Sequence, residues 1–280
     1  MLLIKRVLNN NAVVATDKHK QTLVALGNGI AFHKKAGEII SEDKVEKIFY
    51  PQNEKDTNSM SEMLASIDPK YIELSDQIIS ETIASSGKKL SDDIYLSLPD
   101  HLQFAVERLK KGMPIQNRLT IETMQTYPDE FQLGKRVLRY LEKTENLKFP
   151  EDEATNIAMH LITAEEGNSL EHTAGTIELI NRFLEIISEM LKMEINSKSV
   201  AYYRLVTHLK FFAQRISKKQ TQEANVDPEL YNMVIHRYHK EYLISQRIAG
   251  IVMQKFNYKV SQDEIMYLTI HIHHIAVADR

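Results

Sequence analysis

Asp100-His101-Leu102-Gln103-Phe104 and Thr207-His208-Leu209-Lys210-Phe211 are two similar stretches of this chain. Each leading histidine is followed by a second one, His160 after the first stretch and His271 after the second, at separations of 59 and 63 residues. A repeat of about 110 residues is too long for a solenoid unit and indicates a duplicated domain.

The charged residues around the two histidine pairs repeat as well. An arginine stands seven residues after each leading histidine, and an Asp-Glu pair stands eight and seven residues before each trailing one. These flanking residues are Arg108 and Arg215, Asp152-Glu153 and Asp263-Glu264.

The histidines also share a helical context. His101 stands with Leu98, Leu102 and Ala105 at the i, i+3, i+4, i+7 spacing of one helix face, and the other three histidines have equivalent neighbours. Each histidine is therefore predicted within or at the edge of a buried stripe. From residue 67 to the C-terminus, apolar residues recur at spacings of three and four positions. This periodicity predicts an all-α body of about five helices per repeat.

Residues 1–50 have a different pattern and predict a small antiparallel β domain. Short β-branched runs alternate with turn residues such as Asn9-Asn10-Asn11 and Gly27-Asn28-Gly29. Four strands are expected, at Leu3–Leu8, Ala12–Thr16, Thr22–Leu26 and Ile30–His33. So small a sheet has little core of its own, and we expect packing against a second copy, that is, a homodimer.

The predicted architecture is thus a multidomain chain, with a small all-β domain followed by two homologous helical-bundle domains. The expected boundaries are 1–56 for the head, 57–66 for a polar linker, 67–168 for the first helical domain and 169–280 for the second.

Composition narrows the class of protein. No cysteine is present, which excludes disulfides and thiolate metal sites and agrees with a cytoplasmic location. No apolar run approaches the roughly 20 residues of a membrane-spanning helix, so no membrane insertion is expected. Residues 1–55 carry nine Lys and Arg against six Asp and Glu, whereas the rest of the chain is acidic. A basic head indicates a polyanionic partner.

Several explanations of the histidines remain open at this point. A single one would be read as a core histidine satisfied by hydrogen bonds, but packing alone would accept Leu or Met at four duplicated positions. Metal binding is a further alternative because of His271-Ile272-His273-His274, although no His-Glu-x-x-His is present. If the histidines bind a metal, the protein would be a metal-dependent hydrolase.

Other catalytic motifs are missing from the sequence. It contains no Gly-x-Ser-x-Gly and no phosphate-binding glycine loop in the right context, so we expect no catalytic residues and no cofactor.

The head has two interpretations. Its asparagines, glycines and Phe32 are ordinary turn and sheet residues, or they are the groups that hydrogen-bond base edges and stack unpaired bases in RNA. In the second case Arg6, Lys34 and Lys35 would contact phosphates. A DNA-binding activator is the alternative class, but a helix-turn-helix does not fit this strand-rich segment.

These motifs together resemble the BglG/SacY/LicT family of transcriptional antiterminators over essentially the whole chain. The head is similar to the co-antiterminator RNA-binding domain through residues 5–12 and 27–35. The body is similar to two phosphotransferase-system regulation domains through residues 100–105, 156–160, 204–209 and the segment that ends at His271.

The resemblance implies a function. In this family a dimeric head binds an RNA hairpin in the leader of a sugar-utilisation transcript and prevents an overlapping terminator from forming. A sugar permease and the histidine phosphocarrier protein of the phosphotransferase system control this activity by phosphorylating histidines. The resemblance assigns RNA contacts to Arg6, Asn11, Gly27, Asn28 and Phe32, and phosphorylation to His101, His160, His208 and His271.

Overall fold

A computed structural model describes residues 1–87, 89–220 and 226–278 of the chain. These residues form two compact units. The first contains Met1–Asn117 and Asp129–Asn168, and the second contains Arg118–Pro128 and the residues from Ser169 onward. In the described part of the chain, no helix is long and apolar enough to cross a membrane.

The first unit begins with a five-stranded antiparallel sheet. Its strands are Leu2–Asn9 (β1), Ala12–Thr16 (β2), Thr22–Leu26 (β3), Ile39–Ile40 (β4) and Lys47–Phe49 (β5). They pair in the order β4-β1-β2-β3-β5, and every pairing is antiparallel. The small antiparallel head that the sequence predicts is confirmed.

The fourth predicted strand, at Ile30–His33, is wrong. This segment coils through consecutive turns, in which the N–H of Ile30 donates to the Gly27 carbonyl and that of Phe32 to the Gly29 carbonyl. Gly29 and His33 have φ of 60° and 57°, in the left-handed region that a strand cannot use. Ile30 is nevertheless buried, so the segment has the apolar content of a strand without its backbone.

Both faces of the sheet are covered within the first unit. One face packs with Ile30 and Ala31 of the coiled segment. The other face, which includes Val14 and Leu26, shares a core with the helix that follows the sheet, through Leu64 of that helix. The shortage of core that motivates a dimer is therefore met in part by this chain itself, and the dimer stays a prediction.

The body is helical, as the sequence predicts. The described residues contain eleven α-helices: Glu54–Ser66 (α1), Pro69–Ser86 (α2), Ile94–Lys110 (α3), Thr120–Thr126 (α4), Pro128–Glu145 (α5), Asp152–Glu166 (α6), Leu170–Leu191 (α7), Val200–Lys218 (α8), Pro228–Arg237 (α9), His239–Phe256 (α10) and Gln262–Ala278 (α11). Helices α2 to α6 fall in the first predicted repeat and α7 to α11 in the second, so each repeat has five.

Residues 57–66, which the sequence suggests as a linker, are helical and belong to α1. The side chain of Asn53 caps this helix by accepting a hydrogen bond from the Asp56 N–H, 2.9 Å away. Leu64 is fully buried on its inner face, while most other positions of α1 are polar and exposed. A narrow apolar face accounts for the linker-like composition. The domain boundaries themselves stay predictions.

The helices that carry the histidines pack in pairs. In the first unit α3 lies against α6, and in the second unit α8 lies against α11. Fully buried side chains surround each pair, with Leu98 and Ile157 in the first core and Leu205 and Leu268 in the second. The predicted apolar stripe beside each histidine is confirmed.

Gly134 on α5 allows a close approach to α6 and provides a test of this packing. A Cβ at Gly134 would lie 2.4 Å from the Ala154 carbonyl oxygen, whereas a Cβ at Gly175 on α7 would meet nothing within 4 Å. We expect Gly134→Ala to lower the free energy of unfolding by roughly 1–3 kcal/mol through overpacking. Gly175→Ala should be neutral or stabilise by up to about 1 kcal/mol through helix propensity. Thermal unfolding followed by circular dichroism measures both, and equal effects would contradict the packing described.

Candidate functional site: paired histidines and the N-terminal loop

The structure brings the predicted histidines together in two pairs. In the first unit, His101 on α3 faces His160 on α6, with ring centroids 4.6 Å apart and planes inclined by 39°. In the second unit, His208 on α8 faces His271 on α11, with centroids 4.8 Å apart and planes inclined by 33°. All four side chains are partly exposed, so each pair opens to solvent at the rim of a core.

A buried glutamate supports the first pair. Glu153 is only 3% exposed, and its Oε1 lies 2.9 Å from Nε2 of His101. Its Oε2 accepts a hydrogen bond from Nη2 of Arg108 at 3.0 Å. The His101 contact is short, but its geometry is not that of a well-aligned hydrogen bond.

The second pair has the same support. Oε1 of Glu264 lies 3.0 Å from Nε2 of His208, and Arg215 donates to the same carboxylate from Nε at 3.0 Å and from Nη2 at 2.7 Å. One difference separates the sites: Nε of Arg108 is buried and donates to no acceptor among the described residues. The first site therefore holds a spare buried donor.

The repeated spacing of seven residues explains this geometry. Seven residues are about two helical turns, so residues at i and i+7 lie on one helix face. On α3 this face presents His101 and Arg108, and on the facing helix α6 it presents Glu153 and His160. The Asp-Glu pair also lies in the first turn of α6, where negative charge complements the helix dipole.

The trailing histidines are held in their neutral form. Burial, with repulsion from His101, lowers the pKa of His160 to about 3. Burial, with repulsion from His208, lowers the pKa of His271 to about 4. A neutral imidazole has a free nitrogen lone pair, so both rings are nucleophiles at neutral pH.

The supporting glutamates are held ionised. Burial by itself would raise the pKa of Glu153, but its contacts with His101, Asn156 and Arg108 outweigh burial and leave the pKa below its usual value. The pKa of Glu264 is lowered in the same way against its own burial, by His208 and Arg215. In each site a neutral trailing histidine thus faces a leading histidine. The leading histidine lies against a carboxylate, and an arginine binds that same carboxylate.

The other C-terminal histidines do not join the pair at His271. His273 stacks on Tyr238 with centroids 3.8 Å apart, and its Nδ1 lies 3.2 Å from Oε1 of Glu241. His274 is exposed. The described residues contain no group of three or more His, Asp or Glu side chains placed to hold a metal ion.

The residues proposed for RNA contact fall into two classes. Arg6 on β1, Asn28 and Phe32 are exposed, and Phe32 is 59% exposed. Gly27 and Asn11 are buried, and a Cβ at Gly27 would lie only 2.1 Å from the Lys44 carbonyl oxygen. In this structure Arg6, Asn28 and Phe32 are open to solvent, whereas Asn11 and Gly27 are covered by neighbouring residues, and all five RNA contacts stay predictions.

Known protein families match both parts of this arrangement. The CAT RNA-binding domain model matches residues 2–58, and the PRD domain model matches residues 76–164 and 181–275. A head of the RNA-binding type that precedes two regulation domains defines a class of regulatory RNA-binding proteins.

Individual relatives agree with the family models. The chain is 37% identical to the transcription antiterminator LicT of Bacillus subtilis, over 97% of this chain and 98% of LicT. It is 32% identical to the β-glucoside operon antiterminator of Dickeya chrysanthemi, over 97% and 96%. The crystal structure of GlcT CAT-PRDI matches with a TM-score of 0.51 and 30% identity, over 59% of this chain and 98% of that one. The chain therefore belongs to the family of transcription antiterminators with a CAT RNA-binding domain and PRD domains.

The buried glutamates should be the most sensitive residues of the two sites. We expect Glu153→Gln to lower the free energy of unfolding by roughly 3 kcal/mol, because it leaves the buried Arg108 without a compensating charge. Glu151→Gln is a matched control, since Glu151 is exposed and its carboxylate pairs with Lys135 at the surface; its effect should stay below about 1 kcal/mol. Chemical denaturation measures both, and similar losses for the two variants would contradict a buried ion pair at Glu153.

Proposed function

We propose that this chain is a sugar-responsive antiterminator whose RNA binding is controlled by phosphorylation of His101, His160, His208 and His271. Its head would bind an RNA hairpin in a leader transcript and so prevent a terminator from forming. The observation that carries the proposal is the duplicated pair of facing histidines, each with a neutral ring beside a buried Glu-Arg pair. The chain would act as a regulator and not as an enzyme.

The proposed modification is a phosphoryl transfer between imidazoles. A neutral ring nitrogen of the chain, such as that of His160, attacks the phosphorus of a phosphohistidine on the phosphocarrier protein. The new N–P bond forms as the donor's N–P bond breaks, and the donor imidazole leaves with the electron pair. A sugar permease of the phosphotransferase system is the second proposed partner.

The site explains how such a group would change the structure. A phosphoryl group adds roughly −1.5 to −2 charges, by analogy with phosphorylated hydroxyls, and three acceptor oxygens. At the first pair it would lie beside the ionised carboxylate of Glu153 and compete with it for Arg108. Removing one partner from a buried ion pair destabilises the folded arrangement by roughly 3–5 kcal/mol. That is enough to choose between two arrangements of a regulatory domain.

The head supplies the output. Exposed Phe32 can stack on an unpaired base, exposed Asn28 can hydrogen-bond a base edge, and Arg6 can contact a phosphate. Because so small a sheet has a limited core, we propose that the active form is a homodimer. Because its proposed partners are a nascent transcript and the phosphotransferase proteins, we propose that the protein acts in the cytoplasm.

RNA binding can be tested with the full chain and a bulged hairpin enriched against it from a randomised RNA pool. We expect Phe32→Ala to weaken binding at least about five-fold, because base stacking on an aromatic ring contributes roughly 1–3 kcal/mol. Tyr50→Ala is the control, since Tyr50 is a similarly exposed aromatic of the head at 51%. Filter binding gives both affinities. Tighter filter binding of duplex DNA than of hairpin RNA would instead favour a DNA-binding activator.

Phosphorylation can be tested with phosphoenolpyruvate, enzyme I and the phosphocarrier protein. Acid-labile phosphate should appear on the four histidines, as mapped by mass spectrometry under neutral conditions. Replacing all four with Gln should abolish it, whereas His19→Gln should not, because His19 lies in an exposed turn of the head. Labelling that survives the four-fold replacement would rule out the assignment.

A further inference from the structure

An asparagine holds the glutamate of the first histidine pair in place. Nδ2 of Asn156 on α6 donates to Oε1 of Glu153 at 3.1 Å. The same oxygen lies 2.9 Å from Nε2 of His101. Asn156 is partly buried and stands three residues after Glu153 and four before His160, so all three share one helix face. Asn156 therefore fixes the carboxylate oxygen that faces the leading histidine.

A second asparagine extends this network. Nδ2 of Asn117 donates to Oδ1 of Asn156 at 2.7 Å and lies 3.5 Å from Sδ of Met159. An ionised carboxylate only accepts hydrogen bonds, so Asn156 must turn its nitrogen to Glu153 and its oxygen to Asn117. Asn117 must then be the donor. The charge on Glu153 thus sets the direction of both hydrogen bonds.

The chain enters the second compact unit one residue after this network. Arg118–Pro128, here called the connecting segment, belongs to that unit, and its helix α4 packs against α7. Asn181 on α7 donates to Oγ1 of Thr126 at 3.3 Å. Nζ of Lys210 on α8 lies 3.7 Å from the centroid of the buried Tyr127 ring. The connecting segment is therefore held by α7 and by α8, the helix that carries the second leading histidine.

The second histidine pair has no such network among the described residues. The position that corresponds to Asn156, four residues before the trailing histidine, is Tyr267, which is exposed. Glu264 is instead held by two nitrogens of Arg215. Of the two sites, the first is thus the one whose carboxylate is linked through amides to the start of the connecting segment.

We propose that Asn156 and Asn117 transmit a negative charge added at the first histidine pair to the connecting segment, and that this charge loosens the segment's packing on α7 and α8. The inference rests on the proposed function, because phosphorylation supplies the charge. It assigns Asn156 and Asn117 as positioning residues that act through Glu153.

Electrostatic repulsion provides the physical step. A phosphoryl group on His101 or His160 would place roughly −1.5 to −2 charges near Glu153. The carboxylate would then move away or take up a proton, and in either case Asn156 would lose the acceptor that fixes its orientation. Asn117 would lose its ordered partner in turn, so the connecting segment, which begins at the next residue, would be held less tightly.

Hydrogen exchange followed by mass spectrometry tests the coupling in the full chain. His160→Asp places a negative charge at the first pair, and the amides of residues 119–127 should exchange at least about five-fold faster, the effect of one lost hydrogen bond to a charged group. His160→Gln adds no charge and is the matched control, with a change below about two-fold. Enzymatic phosphorylation of a chain that carries His208→Gln and His271→Gln should reproduce the faster exchange.

A reversal of donors and acceptors tests the route. Asn117→Asp puts a carboxylate against Oδ1 of Asn156 and should speed exchange of residues 119–127 at least about five-fold. Glu153→Gln supplies a donor on α6, so that Asn156 can turn over and donate to the new carboxylate. In that background Asn117→Asp should change exchange less than about two-fold. Asn168→Asp is the control, since the Asn168 amide bonds only two residues away to Glu166, and it should have little effect in either background.

Two results would overturn the proposal. One is exchange of residues 119–127 that does not respond to His160→Asp, and the other is an Asn117→Asp effect that is equal with and without Glu153→Gln. Thermal unfolding shows which variants are folded. If Glu153→Gln does not fold, Asn156→Leu takes its place: it should speed exchange as Asn117→Asp does, and effects that add in the double variant would also overturn the proposal. Absence of phosphate from the four histidines would overturn the proposed function, while the response to His160→Asp would still decide the coupling.

Discussion

An ionised glutamate that is almost fully buried is the constraint around which each helical domain is organised. A carboxylate at this depth is stable because an arginine compensates its charge and a histidine lies against it. In both domains the compensating groups come from the facing helix, so the glutamate fixes how the two helices meet. The two histidines then face each other as a consequence of that register, and the trailing ring is left neutral by its surroundings.

The sequence contains this arrangement in a form that can be recognised but not fully interpreted. The arginine seven residues after one histidine and the glutamate seven residues before the other are visible as a repeat. Their common spacing indicates that each belongs on the face of its histidine. That the glutamate of one helix lies between the arginine and the histidine of the other depends on how two helices pack, which periodicity does not specify. The lowered pKa of His160 is equally a property of the packed structure.

The head shows where local patterns are sufficient and where they are not. The strands at Leu2–Asn9, Ala12–Thr16 and Thr22–Leu26 follow from alternating β-branched residues bounded by turns. Ile30 and Ala31 are as apolar as the residues of a buried strand. They follow Gly29, whose backbone is in the left-handed region, and their hydrogen bonds close turns. Strands of two or three residues, such as Ile39–Ile40, are too short to produce a pattern. The burial of Asn11 could not be predicted, because the residues that bury it are about sixty positions away.

The core that β2 and β3 share with α1 also limits how modular the chain is. If the head were exchanged with that of a relative at the end of the family-model match, near residue 58, the cut would fall inside α1 and separate Val14 and Leu26 from Leu64. In such a hybrid, the sheet face of one protein would pack against a helix whose side chains fit the sheet of the other protein. Exchange after Ser66 keeps that interface intact, so we expect a hybrid joined there to be more stable than one joined near residue 58.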